Sequence, residues 1–171
     1  MTLAKSTMTC SMCDNRKPLK ASKVTHKYKE CGLDNVTLIG VEHFRCEKCG
    51  EEYFGYGNME KLHATIAHVL LRKKDLLTGA EVRFLRKHLG YSGTMFAKLI
   101  GYDDASLSRL ETGAQPITRT FDHLVRFLVA SKLPDRNYDL HDLILKGEGV
   151  ETSRIELTSS GTHGEWKLKA A

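Results

Sequence analysis

The chain has no run of about 18 apolar residues, which excludes a membrane-spanning helix. Its first residues, Met1-Thr-Leu-Ala-Lys-Ser-Thr7, carry no apolar signal region, so the expected location is the cytoplasm. There is no internal repeat, which argues against a solenoid or an array. No nucleophile–base constellation can be assembled, and the expectation is a protein that is not an enzyme. The His-x-Glu with Pro-Cys-x-x-Cys pattern of zinc deaminases is also missing. Large apolar residues are scarce in residues 1–57. A segment that short with a weak core needs a staple of another kind.

What is present is unevenly charged. The formal net charge is +5. Residues 1–77 carry a surplus of +4 and residues 78–133 one of +3, while residues 134–171 stand at −2. The positive surplus therefore lies in the first two segments, where a polyanion would bind.

The staple is written in cysteine. Five cysteines in a cytosolic chain are not a disulfide framework. Four form two Cys-x-x-Cys pairs, Cys10/Cys13 and Cys46/Cys49, and Cys31 stands alone. Each pair can place two thiolates on one side of a tetrahedron, so the two together complete a four-sulfur site for one structural zinc ion per chain. Four cysteines leave no open position for catalysis by that metal. The 32 residues between Cys13 and Cys46 have room for a hairpin. Lys23–Glu30 and Val36–Phe44 alternate around the turn residues Gly32-Leu-Asp-Asn35, with Val36, Leu38 and Gly40 on one face and Thr37, Ile39 and Val41 on the other. His43 reads as a surface strand histidine.

Asn58 is a good N-cap for a helix carrying Met59, Leu62, Ile66, Val69 and Leu70 at helical spacing. Its basic end, Arg72-Lys-Lys74, reads as a solvated helix terminus, and His63 and His68 as helix-surface residues. Thr78-Gly-Ala-Glu81 is a capping box that starts a second helix, which stops near Gly90. Next comes a helix, a tight turn and a helix. Phe96, Ala97 and Ile100 form one inner face, and Leu107 and Leu110 another. Gly101 sits at the turn, Asp103 caps the second helix and Gly113 ends it. Such a unit places its second helix in the DNA major groove. Asp104, Ala105, Ser106 and Arg109 are left facing outward, where base edges would meet them. Thr118–Lys132 forms a strongly apolar helix through Phe121, Leu124, Val125, Phe127 and Leu128, ended by Leu133-Pro134. Beyond it a short helix is expected around Tyr138–Lys146, closed by Gly147. Ile155-Glu-Leu157 and Trp166-Lys-Leu168 could form a hairpin, pair with another copy or fray, and Trp166 either anchors a dimer or packs locally.

The motif Leu85-Arg86, Gly90-Tyr-Ser92, Phe96-Ala97, Ile100-Gly101, Leu107-Ser-Arg-Leu-Glu111 and Gly113 resembles the lambdoid repressor and Cro class of XRE-type regulators. The whole order of cysteine knuckles, linking helix and helix-turn-helix resembles the MqsA antitoxin family, also called YgiT-type zinc-finger proteins. The resemblance covers roughly residues 8–133. Taken with the helix starts and the Pro134 break, it implies an α+β multidomain chain: a zinc-bound β unit (1–57), a linking helix (58–77) and a five-helix lambda-repressor-like domain (78–133), with a C-terminal extension (134–171) beyond the family pattern. It also implies a buried ion pair between Arg86 and Glu111.

The implied function is a sequence-specific transcription regulator. It would be a homodimer on a palindromic operator in double-stranded DNA, repressing its own promoter, with the zinc unit holding a toxin of a type II toxin–antitoxin pair. A regulator without a toxin is the alternative. Ser92, Thr94, Gln115, Thr118 and Arg119 would position the DNA backbone. Arg109, Asp104 and Ser106 would read bases. Arg109 matches a base-reading arginine of the family, while its partner asparagine is here Ala105, so the operator should differ. The family's glutamine at the start of the first helix of the motif is here Gly93. Asp104 could accept from a cytosine amino group or oppose phosphates and reject wrong sites. Tyr91 and Tyr102 read as packing residues against Phe96 and Leu107.

Overall fold

The computed structural model describes residues 8–132, 152–160 and 165–169. The helix expected at Tyr138–Lys146 lies outside them. Two antiparallel strands, β1 (Lys20–Lys27) and β2 (Val36–Arg45), form the expected hairpin. Strand β3 (Glu52–Gly55) runs antiparallel to the second half of β2. Strands β4 (Ile155–Ser160) and β5 (Glu165–Leu168) form the terminal hairpin, and β4 pairs in parallel with the first half of β2. The sheet thus draws strands from both ends of the chain, and β2 is its centre. One edge of β2 is taken by β1, and the other is divided between β4 at Val36–Ile39 and β3 at Glu42–Arg45.

Between those halves Gly40 is an extra residue. Val24 pairs with Val41 and Thr25 with Ile39, so Gly40 has no opposite number. Its φ of 82° lies in the left-handed region that glycine enters without steric cost. The bulge corrects the expected alternation of β2. It flips the side-chain parity, so Val41 joins Val36 and Leu38 in the core instead of opposing them. Phe44, three residues further, lies on the opposite face with Cys10, Leu19 and Cys46.

Helix α1 (Met59–Leu71) follows its Asn58 cap. Leu62, Ile66, Ala67, Val69, Leu70 and Leu71 are all buried, an arc too wide for one packing face. One side meets the sheet and the other meets α2 and α5. The helix ends earlier than expected. Lys73 is buried rather than solvated, and its Nζ donates to Glu81 Oε2 at 2.8 Å. Among the described residues, the remaining helices are α2 (Gly79–His88), α3 (Gly93–Ile100), α4 (Asp104–Thr112) and α5 (Arg119–Lys132). The Thr78 capping box is formed on both sides: Thr78 N–H donates to Glu81 Oε2 at 2.7 Å, and Glu81 N–H to Thr78 Oγ1 at 3.3 Å. One apolar cluster runs from Tyr28, Val36 and Leu38 through α1 to Leu85, Phe96, Leu107 and Val125. No described helix is long and apolar enough to cross a membrane.

His63 differs from its surface reading. It is half-buried, with Nε2 2.9 Å from the Tyr28 hydroxyl and its ring edge-on to Phe84. Trp166 packs locally: it is buried, and its Nε1–H donates to the Tyr56 carbonyl at 3.0 Å.

Candidate nucleic-acid interface and metal centre

Short local devices build the helix-turn-helix. Ser92 Oγ accepts from Met95 N–H at 3.2 Å and starts α3, and Gly101, with φ 74°, turns the chain out of it. Asp103 accepts from Ser106 N–H at 2.8 Å and starts α4. Phe96, Ala97, Ile100, Leu107 and Leu110 are buried together. Arg86 grips Glu111 with two parallel bonds, Nε to Oε1 at 2.6 Å and Nη2 to Oε2 at 2.9 Å, while Nη1 donates to the Tyr91 carbonyl. This pair joins α2 to α4. Tyr91 packs on Phe96 as expected, and Tyr102 sets its ring against Phe121 of α5, at 5.3 Å.

With the inner side of α4 filled, Asp104, Ala105 and Arg109 are exposed, and Ser106 is half-buried. Two groups of expected site residues come together here. Thr94 Oγ1 donates to Asp104 Oδ2 at 2.8 Å, linking the first turn of α3 to that of α4. Ser106 Oγ donates to Asp103 Oδ2 at 2.6 Å and accepts from Arg109 Nη2 at 2.8 Å. The Ser106 hydroxyl, the Ser106 N–H and nearby Arg109 together hold the Asp103 carboxyl below its ordinary value. Ser92 and Thr118 are exposed, but their hydroxyls also serve as caps, Thr118 for Phe121 N–H at 3.3 Å. Gln115 and Arg119 are exposed beyond the C-terminal end of α4, where Gln115 N–H donates back to the Arg109 carbonyl at 3.1 Å.

Residues 78–137 match a family profile described as a helix-turn-helix domain. That match and the α3–turn–α4 geometry give the chain a helix-turn-helix unit. No curated protein and no solved structure matches the chain.

Outside the helix-turn-helix domain, the four paired cysteines converge. Their Sγ atoms all lie within 4.8 Å of one another. Cys10 and Cys49 are 3.5 Å apart, and Cys13 and Cys46 3.7 Å. Four thiolates about 2.3 Å from a tetrahedral zinc would stand roughly 3.8 Å from each other, so the donor set fits such an ion. The first knuckle precedes β1. The second is the β2–β3 turn, closed by Cys46 N–H to Glu51 O at 2.9 Å and Gly50 N–H to Cys46 O at 2.9 Å.

Two side chains that the sequence reading passed over support the sulfurs. Asn15 Nδ2–H donates to Cys46 Sγ at 3.4 Å and lowers that thiol to about 6. The Tyr53 hydroxyl lies 3.4 Å from Cys10 Sγ and likewise lowers it. Cys13 receives a backbone hydrogen bond at Asn15 that favours its thiolate, yet burial and the neighbouring sulfurs push it up to about 12. Four thiolates this close repel unless a cation joins them. Cys31 is elsewhere, half-buried, donating to the Tyr28 carbonyl at 3.2 Å. His43 packs on Phe54 at 5.0 Å and is no part of the tetrad.

A second buried network lay outside the sequence reading. Asp122 and Arg126, both on the inner face of α5, form an ion pair at 2.7 Å. Arg126 Nη1 also donates to the carbonyls of Leu70, Leu71 and Lys73, and Nη2 to that of Asp75. Asp122 Oδ1 accepts from Leu77 N–H at 2.7 Å. The available signal was the placement of two charges at i,i+4 beside the apolar series Phe121, Val125 and Val129.

Proposed function

We propose that the chain is a sequence-specific transcription regulator of the cytoplasm that binds a palindromic operator as a homodimer and represses its own promoter. The observation that carries the reading is the α4 surface. Its inner residues are all committed to the core, and Asp104, Ala105 and Arg109 are left exposed on the helix that such a domain lays in the major groove. Two-fold symmetry would set half-sites about 34–36 Å apart. Arg109→Ala is expected to cost about 1–3 kcal/mol on the operator and to relax sequence preference. Gel shifts on operator and random duplex decide this, and an equal loss on both would remove Arg109 as a base reader.

The ion proposed for the tetrad is zinc, one per chain, in a structural role. Supporting this are four soft donors at tetrahedral spacing, with no fifth candidate ligand grouped with them among the described residues. Metal analysis should return one zinc per chain, and chelation should lower the melting temperature. Another metal in the natively purified protein would overturn the assignment.

The finer proposal is an antitoxin whose zinc unit holds a toxin. The order of cysteine knuckles, linking helix and helix-turn-helix supports it. So does the outer edge of β1, which pairs only with β2 among the described strands and offers a second surface. A stand-alone regulator is the second reading, favoured by β4, which takes up half of the opposite edge of β2 with a segment beyond the compact antitoxin pattern. Co-purification with the product of an adjacent gene separates the two.

A further inference from the structure

The chain of hydrogen bonds on the outer side of α4 runs in one direction. The Asp103 carboxylate takes the single hydroxyl proton of Ser106, and the Ser106 oxygen takes an N–H of Arg109. With its proton committed, Ser106 has nothing left to donate to a base acceptor. Arg109 lies one turn further along, yet helical side chains lean toward the N-terminus. Its guanidinium is therefore brought back over the first turn of α4, the part of a recognition helix that meets base edges.

One Nη2 proton anchors the group, and the rest of the planar fork is left to face outward. The neighbourhood decides what that fork can bind. Asp103 and Asp104 both lie in the same turn, and Asp104 is held there by Thr94. Two carboxylates repel a phosphate, whereas the O6 and N7 edge of guanine carries partial charges and matches the fork of an arginine.

We propose that Ser106 is a positioning residue, which, held by Asp103, aims the Arg109 guanidinium at a guanine in each half-site. The proposal rests on the reading of the chain as a DNA-binding regulator, and its test separates the two. The full-length protein, as Ser106→Ala, Ser106→Thr, Arg109→Ala and the unaltered chain, would be taken through binding-site selection from a random duplex library, with melting temperature and salt dependence measured alongside.

Ser106→Ala retains the Asp103 cap on the Ser106 N–H, so its melting temperature and salt slope are expected to be unchanged. Its preference for guanine over adenine at one position per half-site should fall about tenfold. Ser106→Thr, which keeps the hydroxyl, should retain the preference, and Arg109→Ala should lose it at the same position. If Ser106→Ala keeps the full preference while Arg109→Ala loses it, DNA reading stands and the positioning role is overturned. A drop in melting temperature matching the loss of binding in Ser106→Ala would make the residue structural and overturn the proposal too. If the unaltered chain selects no sequence at all, the DNA-reading conclusion itself falls.

Discussion

Arg126 has a side chain 2% exposed on the inner face of α5, and a buried guanidinium is costly unless its N–H groups are met. Here they are met by Asp122, by the Leu70 and Leu71 carbonyls in the last turn of α1, and by the Lys73 and Asp75 carbonyls beyond it. Arg126 thereby caps the C-terminal end of α1, where the Leu70 carbonyl also accepts from Lys73 N–H at 3.1 Å. Arg126→Ala would leave the buried Asp122 without its ion-pair partner and remove the guanidinium that bridges the Leu70, Leu71, Lys73 and Asp75 carbonyls. The expected cost is about 3–5 kcal/mol in urea unfolding. Arg126→Lys should recover little of it, because one ammonium cannot replace a planar fork that serves Asp122 and carbonyls from Leu70 to Asp75. A loss below about 1 kcal/mol for Arg126→Ala would mean that solvent satisfies these groups. The i,i+4 pairing with Asp122 is a local signal, but the carbonyl partners are more than fifty positions upstream, and only the packing of α5 on α1 brings them within reach.

Among the elements, the helix-turn-helix was the most legible part, because its signals are short-range. Thr78, Ser92 and Asp103 each cap a helix through a residue three positions on, and Gly101 turns the chain between two helices. Less visible was how closely α2 approaches α4. A Cβ on Gly79 would stand 2.3 Å from the Leu110 carbonyl oxygen and 2.7 Å from that of Glu111, both backbone atoms. Gly79→Ala should therefore destabilise the fold and weaken DNA binding, although alanine improves helix propensity by about 1 kcal/mol. Gly93→Ala, at the first position of α3, meets nothing within 4 Å and should be neutral to stabilising. Thermal melts of the two variants check the contrast, and equal behaviour would refute the close approach. Strand β2 was half legible. Its two apolar runs were visible in sequence, but the parity flip at Gly40 depends on which strands pair on each side of it.

For the whole molecule, α1 is the common wall of the sheet and the helical layer, so the core is continuous from Leu38 and Leu157 to Phe96 and Val125. The expectation is a single cooperative unfolding transition. His63 lies at that junction, facing the Tyr28 hydroxyl from the β1–β2 connection and Phe84 from α2, with His88 as its charged neighbour when protonated. Burial holds His63 below its ordinary 6.5, and His88 is lowered for the same reason first. In the unfolded chain the imidazole takes a proton near 6.5, before the folded one does. Stability from this site is therefore complete above 6.5 and lost as the pH falls below it toward the folded value. Melting temperature should be level above that point and decline beneath it, and His63→Asn should flatten the decline. An unchanged slope in that variant would place the acid sensitivity elsewhere.

By itself the sequence determined the cysteine tetrad, the helix starts and the outward face of α4, because spacing, caps and periodicity act over a few residues. Tertiary structure alone decided that β4 would pair with β2, that Val41 would turn inward, and that Lys73 and Arg126 would be buried. Each depends on what stands opposite in space, and burial and partner geometry there overrule local preference.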